Sequence, residues 1–344
     1  MFFMRQKIII LTAIFFLLWL IKGQAQQDTV KTVEHNPVVF GRIYPGFTTT
    51  FAENSHTTNS FDMNTALLGA KANFGNKVCV ILSYDVTKTT GDILVKDSNY
   101  NAMQVSWYKG SDYTAFLKQA EINYKPFKSL ELAIGQLLNE QYLTIQDIFW
   151  GYRYVAFTFQ ERYKYGFPAD FGFRMAYNKN KLRLSVTVSN GEGPLYRQDS
   201  NGLMMYALNV EYKPSQHWIF KVYGDVYPDD DHTCRQTLSL FGGYSIEKFR
   251  MGIESCWVQN DLWNTSNDYE GFSGFVSYCL NKKWSVFVRE DYLVQSLYYK
   301  NTSFSIVGTQ YEINQNISVS INGRSFLNSY IKQAQLCLNV GAKF

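Results

Sequence analysis

Apolar and polar residues alternate one by one through most of this chain. In Leu182-Arg183-Leu184-Ser185-Val186-Thr187-Val188-Ser189, the aliphatic residues fall on one face and the polar ones on the other. Phe171, Phe173, Met175 and Tyr177 alternate in the same way with Asp170, Gly172, Arg174 and Ala176, as do Ile317, Val319 and Ile321 with Ser318, Ser320 and Asn322. A period of two marks strands with one apolar face, because successive side chains leave a pleated strand on opposite sides. Seven short turn signals divide the strands: Gly75-Asn76, Pro126-Phe127-Lys128, Asn178-Lys179-Asn180, Pro214-Ser215-Gln216, Glu247-Lys248, Asn281-Lys282 and Asn314-Gln315-Asn316. Their centres lie 51, 52, 36, 32, 35 and 33 residues apart. Two strands of about 11 residues with a tight turn and a modest loop make a unit of about 33. The last four spacings fit that unit, and the first two hide long loops. Fourteen strands flank the seven turns, and one more over residues 39–51 and another over residues 333–344 bring the expectation to sixteen. Fourteen or eighteen fit nearly as well, because the stretches around Thr48 and Ser303 alternate poorly.

An aromatic ring lies at or near the end of every strand entering those turns: Phe74, Tyr124, Tyr177, Tyr212, Tyr244, Tyr278 and Tyr311, with Trp218 and Trp284 following two of them. A soluble sandwich gives no reason for a ring at each short turn. A membrane barrel does, since amphipathic rings gather at the lipid–water boundary. Carrying the phase of the rings along the strands puts the apolar face toward lipid. The polar face then lines the interior, with the bases Arg42, Lys71, Arg174, Arg183, Lys221, Arg250, Arg289, Arg324 and Lys343 almost matched by acids such as Glu121, Asp170, Glu211 and Glu254. Pairing of Asp170 with Arg174 and of Arg250 with Glu254 along one strand is expected to mute both members. Tyr311 fits the phase badly, because Thr309 and Ser305 would then face lipid. After residue 27 no apolar run exceeds five or six residues, too short for a spanning helix. The expected fold is therefore all-β, a transmembrane antiparallel β-barrel, the form that satisfies its backbone in lipid without helices.

Residues 1–25 read as a cleaved secretory signal: Arg5 and Lys7, an apolar stretch over residues 8–21, then Gly23-Gln24-Ala25 as the small-residue cleavage site. The rival reading, an uncleaved anchor, needs about 20 apolar residues. Residues 26–37 follow as a periplasmic N-terminal segment and residues 38–344 as the barrel. Losing Arg5, Lys7 and Lys22 with the leader takes the net charge from +4 to +1, so no basic excess points to nucleic acid. The five cysteines are odd in number and show no metal-ligand spacing, which indicates neither a disulfide framework nor a zinc site.

The last strand alternates Leu336, Leu338, Val340, Ala342 and Phe344, which looks like the C-terminal signal read by the barrel assembly machinery. The chain resembles the Bacteroidota-type outer-membrane porins of the phosphate-selective O and P group. The resemblance lies in Val39-Phe40-Gly41-Arg42-Ile43-Tyr44-Pro45-Gly46, Leu132-Ala133-Ile134-Gly135-Gln136, Phe149-Trp150-Gly151-Tyr152-Arg153, Ala169-Asp170-Phe171-Gly172-Phe173, Val188-Ser189-Asn190-Gly191-Glu192-Gly193 and Phe344. It implies a sixteen-stranded barrel in the outer membrane of a Gram-negative bacterium. It also implies a homotrimer, with a third external loop folding into the pore. Membrane lipid and lipopolysaccharide would surround such a barrel.

That third loop is residues 139–168, rich in rings and carrying Glu140, Asp147, Arg153, Glu161, Arg162 and Lys164. Folded inward, it would narrow a channel otherwise wide and aqueous. Asp147, Arg153, Glu161, Arg162 and Lys164 are then the expected constriction, facing wall charges Arg42, Lys71, Arg174, Arg183, Arg250, Arg289 and Arg324. Arg153, Arg162 and Lys164 are expected to set the ion bias. The competing arrangement is an outward loop packed on its neighbours. For chemistry, only Asp229-Asp230-Asp231-His232 sets a His beside carboxylates, and a solvated loop tip explains it as well as a hydrolytic pair or a cation site. No Gly-rich phosphate loop or nucleophile elbow is present, so no cofactor and no catalytic residue is expected. A diffusion porin leads; a structural or adhesive barrel and a rim hydrolase are the alternatives.

Overall fold

The computed structural model describes residues 37–53, 56–88, 93–96, 102–105, 113–141, 145–195, 202–228, 233–261, 264–265, 267–295, 301–328 and 332–344. The leader (residues 1–25), residues 26–36 and the Asp229-Asp230-Asp231-His232 tip lie outside them. The strands in chain order are β1 (Val38–Ala52), β2 (Thr58–Phe74), β3 (Val78–Lys88), β4 (Ile93–Lys96), β5 (Ala102–Val105), β6 (Tyr113–Phe127), β7 (Leu130–Leu138), β8 (Ala169–Lys179) and β9 (Leu182–Ser189). They continue as β10 (Met205–Tyr212), β11 (Trp218–Pro228), β12 (Cys234–Ile246), β13 (Phe249–Gln259), β14 (Tyr269–Cys279), β15 (Trp284–Gln295), β16 (Thr302–Asn314), β17 (Ile317–Leu327) and β18 (Lys332–Lys343). β4 and β5 pair only with each other; the other sixteen form one closed antiparallel barrel. Closure comes from β1 against β18, with Arg42 opposite Lys343 and Thr49 opposite Leu336.

All seven predicted turns join neighbouring strands at one end of the barrel. In the two-residue Asn180-Lys181 turn, Asn180 takes φ +53°, a left-handed conformation that asparagine tolerates. The alternation read from sequence is the alternation of faces. Phe173 is 44% exposed on the outside while Arg174 beside it is 7% exposed within. Leu208, Phe220, Val222 and Leu240 continue the apolar exterior. A band of that extent marks a lipid-facing surface. No described helix is long and apolar enough to cross a membrane.

The interior is less uniformly polar than the alternation predicts. Ile219, Phe241, Phe275, Phe287, Phe304 and Ile306 point inward and are buried. On β16 this resolves the misfit of Tyr311: its ring does face out, against Trp284 at 4.9 Å, and Ser305 and Thr309 share its side. Thr309 Oγ1 donates to the Ser285 carbonyl at 3.0 Å, which satisfies the hydroxyl on the outer face. The apolar side chains of β16 turn inward because a loop awaits them there.

Inserting one residue after Val319 should abolish the folded, heat-modifiable band on an unheated gel. The slip would exchange the faces of β17 and bring Asn322 or Arg324 toward lipid, which for Arg costs about 2–4 kcal/mol at the bilayer midplane. A folded band would refute the register.

Candidate pore constriction

Residues 139–168 leave β7 and return to β8, forming the third loop at the end opposite the short turns (L3). Its neck is closed by the Asn139 N–H donating to the Pro168 carbonyl at 3.0 Å. Inside the barrel it forms two short helices, α1 (Ile145–Trp150) and α2 (Phe159–Arg162). The loop is inward-folded, as the sequence predicted.

Two kinds of contact hold it there. The first is apolar: Trp150, Tyr152, Tyr154 and Val155 of L3 form one buried cluster with Tyr44, Phe241, Phe275, Phe287, Phe304 and Ile306 of the wall. The Trp150 ring stands edge-on to Phe275 and Phe287 at 5.2 and 5.9 Å. Such aromatic pairs add about 0.5–1.5 kcal/mol each beyond their buried area. At α2, Phe159 and Tyr165 press on β14 where Gly271 leaves room; a Cβ there would lie 2.5 Å from the Phe159 ring.

The second is a set of cations donated by the wall to the loop's main chain. Lys221 donates to the Gln141 carbonyl (2.9 Å), Arg235 to that of Tyr165 (2.8 Å) and Arg250 to that of Trp150 (3.1 Å). Arg289 donates to the carbonyl of Phe157 (2.5 Å) and Arg324 to that of Val155 (2.7 Å). Lys221 also reaches the Glu140 carbonyl and, at 2.7 Å, Gln146 Oε1. The five bases come from β11, β12, β13, β15 and β17. Gly151, at φ +74°, lets the chain turn after α1 and lets Arg250 approach, since a Cβ would lie 2.8 Å from the guanidinium.

Within L3, Arg153 is 6% exposed and clamped between two carboxylates. It meets Glu161 in a bidentate pair at 2.5 and 2.6 Å and Asp147 at 3.0 Å. Burial alone would ease its proton off, but Glu161 and Asp147 raise its pKa well above the ordinary arginine value. Arg153 is thus a brace, and its charge is spent within the loop. Arg162 stacks 3.5 Å over the Phe304 ring, while Lys164 is exposed.

The wall residues divide into three groups. Arg250, Arg289 and Arg324 are committed to L3 carbonyls. Arg174 and Arg183 belong to a carboxylate cluster: Arg183 meets Glu140 at 2.7 Å, and Arg174 lies 3.8 Å from both Glu140 and Glu121. Arg42 and Lys71 stay exposed. Asp170 does not pair with Arg174, nor Arg250 with Glu254, although Arg289 and Asp291, two apart on β15, do pair at 2.7 Å. Asp170 accepts the Gly191 and Gly193 N–H groups, and Glu254 accepts from Gln160. Four residues along a strand span about 13 Å, too far for a pair, whereas residues two apart on one face or on neighbouring strands about 5 Å away can meet.

L3 lies against β11–β17 and, through Tyr154 on Tyr44, against β1, and space remains beside β2, β3, β6 and β7. A cavity of about 230 Å³ there is lined by Lys71, Asn73, Ile81, Glu121, Asn123 and Glu131. A larger concavity of about 810 Å³, around Gly224 with Val186, Leu208, Val226 and Leu238, is a groove on the apolar exterior and no part of the channel.

Glu140 guards the loop neck. Burial pushes its carboxyl up, but Arg174, Arg183 and the Ser185 hydroxyl together hold it below the usual 4.5. A depressed pKa means that the ionised form stabilises the folded neck above 4.5, and that this contribution is lost as pH falls through the lower native value. Single-channel traces should therefore stay quiet from neutral pH down to 4.5, with L3 noise only below. Noise beginning near neutral pH would count against Glu140 as the neck clamp.

No protein-family model matches the sequence, and no curated protein does. Solved structures do match. The anion-selective porin of Comamonas acidovorans superposes with a TM-score of 0.64 at 10% identity, over 90% of this chain and 100% of that one. The fold is a porin fold. The porin OmpF of Salmonella typhi, solved with daunomycin, gives 0.64 at 8% identity over 90% and 98% of the two chains. In-vitro folded OmpT of Vibrio cholerae, in its trimer form, gives 0.59 at 9% identity over 90% and 99%.

Two features of this porin-like barrel escaped the sequence reading. Arg235 anchors L3 yet was not singled out, although the phase from Tyr244 already places it inward. The inward rings Phe241, Phe275 and Phe287 stand at odd spacings from Tyr244, Tyr278 and Trp284. That oddness was the available signal.

Proposed function

We propose that this chain forms a water-filled outer-membrane channel for passive diffusion of small hydrophilic solutes and ions, with L3 as its constriction. The observation that carries the reading is the loop itself: it is fastened to the wall on one side of the lumen, and a cavity lined by Lys71, Glu121 and Glu131 remains on the other. The assembly proposed is a homotrimer, the form in which OmpT of Vibrio cholerae was also solved, in the outer membrane of a Gram-negative bacterium and inserted through the Phe344 signal. No residue is assigned a catalytic role.

Most of the lumenal charge is paired, so selectivity is weak and general; a dense cationic ladder of the kind a phosphate-selective channel needs is not what the open passage offers. The exposed bases Arg42, Lys71 and Lys164 give a slight preference for anions. Purified protein in a planar bilayer should give discrete conductance steps, and a silent barrel would support the structural or adhesive alternative. The triple change Arg42→Gln, Lys71→Gln and Lys164→Gln should move the reversal potential in a salt gradient toward cations. Block of the wild-type channel by trace phosphate would overturn the general-porin reading.

A further inference from the structure

The short-turn end of the barrel carries a ring of charge, of which Lys77 also borders the passage cavity. Lys77, Lys128, Lys181, Lys213, Lys248 and Lys283 stand one on each of the first six turns, and Lys179 and Lys282 double two of them. Glu247 is the only acid in those six turns. At the opposite end the balance reverses: residues 229–233 hold three Asp, and residues 260–268 hold Asp261 and Asp268. The chain is nearly neutral once the leader is gone, so its charge is sorted between two ends.

The lysines are exposed, and none is salt-bridged to a described carboxylate. Their turns are two to five residues long, so each ammonium stays within its own side chain's length of a strand end. The strand ends are marked on the outer face by the ring girdle. Trp218 packs on Tyr244 at 4.6 Å and Trp284 on Tyr311 at 4.9 Å. Lys283 Nζ lies 5.7 Å from the centre of the Tyr311 ring and 3.5 Å from its hydroxyl. Rings of this kind settle at the hydrocarbon boundary. The ammonium groups therefore lie at the depth of lipid phosphates.

We propose that this lysine ring binds the phosphate headgroups of anionic phospholipid in the periplasmic leaflet. The proposal rests on the reading of the barrel as membrane-embedded with its short turns toward the periplasm. The distribution of charge selects lipid over a protein partner: six turns spaced around the rim match an annulus that surrounds the barrel, whereas a docked protein would meet one side. The depth selects lipid over the cell wall, because two- to five-residue turns project nothing beyond the headgroups.

The test uses the full folded protein in vesicles of phosphatidylcholine and phosphatidylglycerol, with either lipid brominated to quench tryptophan. Wild-type protein should prefer phosphatidylglycerol at low salt. Changing Lys77, Lys128, Lys181, Lys213, Lys248 and Lys283 together to Gln should lower the preference at least fivefold, the attraction expected of a single basic residue at an anionic surface. Raising salt should lower the wild-type preference likewise, by screening. Equal preference in both proteins would overturn the proposal. Binding of wild type but not the variant to isolated peptidoglycan, with equal lipid preference, would assign the ring to the cell wall and also overturn it. Should the sixfold variant fail to fold, the salt profile of wild type and the Lys282→Gln/Lys283→Gln pair decide, and a flat profile with no effect of the pair refutes the idea. Conductance is measured on the same preparation. A conducting barrel without lipid preference defeats this inference alone, and a silent barrel with it defeats only the channel reading.

Discussion

Replacing residues 145–165 with a short Gly/Ser linker should raise single-channel conductance several-fold and turn the channel clearly anion-selective, while the barrel still folds. The barrel closes through β1 and β18 without help from L3, so its hydrogen-bonded ladder survives the deletion. Conductance rises because Trp150, Tyr152, Tyr154 and Phe159 no longer pack into the lumen. Selectivity changes for a separate reason. Arg250 and Arg324 lose the Trp150 and Val155 carbonyls and face water without a carboxylate partner, whereas Lys221 keeps Gln141 and Arg235 keeps Asp225 and Asp261. Fixed charges at a narrow aqueous passage act strongly on permeant ions. Unchanged conductance would mean that L3 does not form the constriction. A wider pore with unchanged reversal potential would mean that the wall cations do not reach the passage.

Arg153→Gln should loosen L3 without opening the barrel. The substitution leaves Asp147 and Glu161 close together and mostly buried, with no cation between them. Removing one partner of a buried ion pair costs about 3–5 kcal/mol. That exceeds what any single ring contact of the loop supplies. Two readouts follow: flickering in single-channel traces, and cleavage of L3 by protease added to the folded protein, which wild type should resist. Arg153→Lys should fall between the two, keeping the charge and losing the bidentate geometry. Quiet traces and full protection in Arg153→Gln would show that the ring cluster alone carries the loop.

The barrel was legible in the sequence because its signals are local. Alternation, turn residues and the rings at the strand ends each follow from one or two neighbouring residues, and together they gave sixteen strands. L3 was legible as a long, ring-rich segment at a spacing that demanded it. What the side chains of that segment do was not legible. Arg153 looks like an open pore charge until the fold brings Asp147 and Glu161 around it, six and eight residues away. Arg250 and Arg324 look like a cationic wall until the carbonyls of Trp150 and Val155 arrive from far along the chain. Pairing across strands depends on register, which no single segment encodes.

The fastening of L3 has one further consequence. The wall grips backbone carbonyls, and every amino acid carries the same carbonyl. Exposed side chains of the loop, such as Ile148 and Lys164, can therefore be exchanged without undoing the five main-chain contacts. The attachment is indifferent to the loop's spelling at those positions. A barrel of this design can be retuned for a new solute by rewriting a few letters of one loop, while strands, girdle and anchors stay as they are.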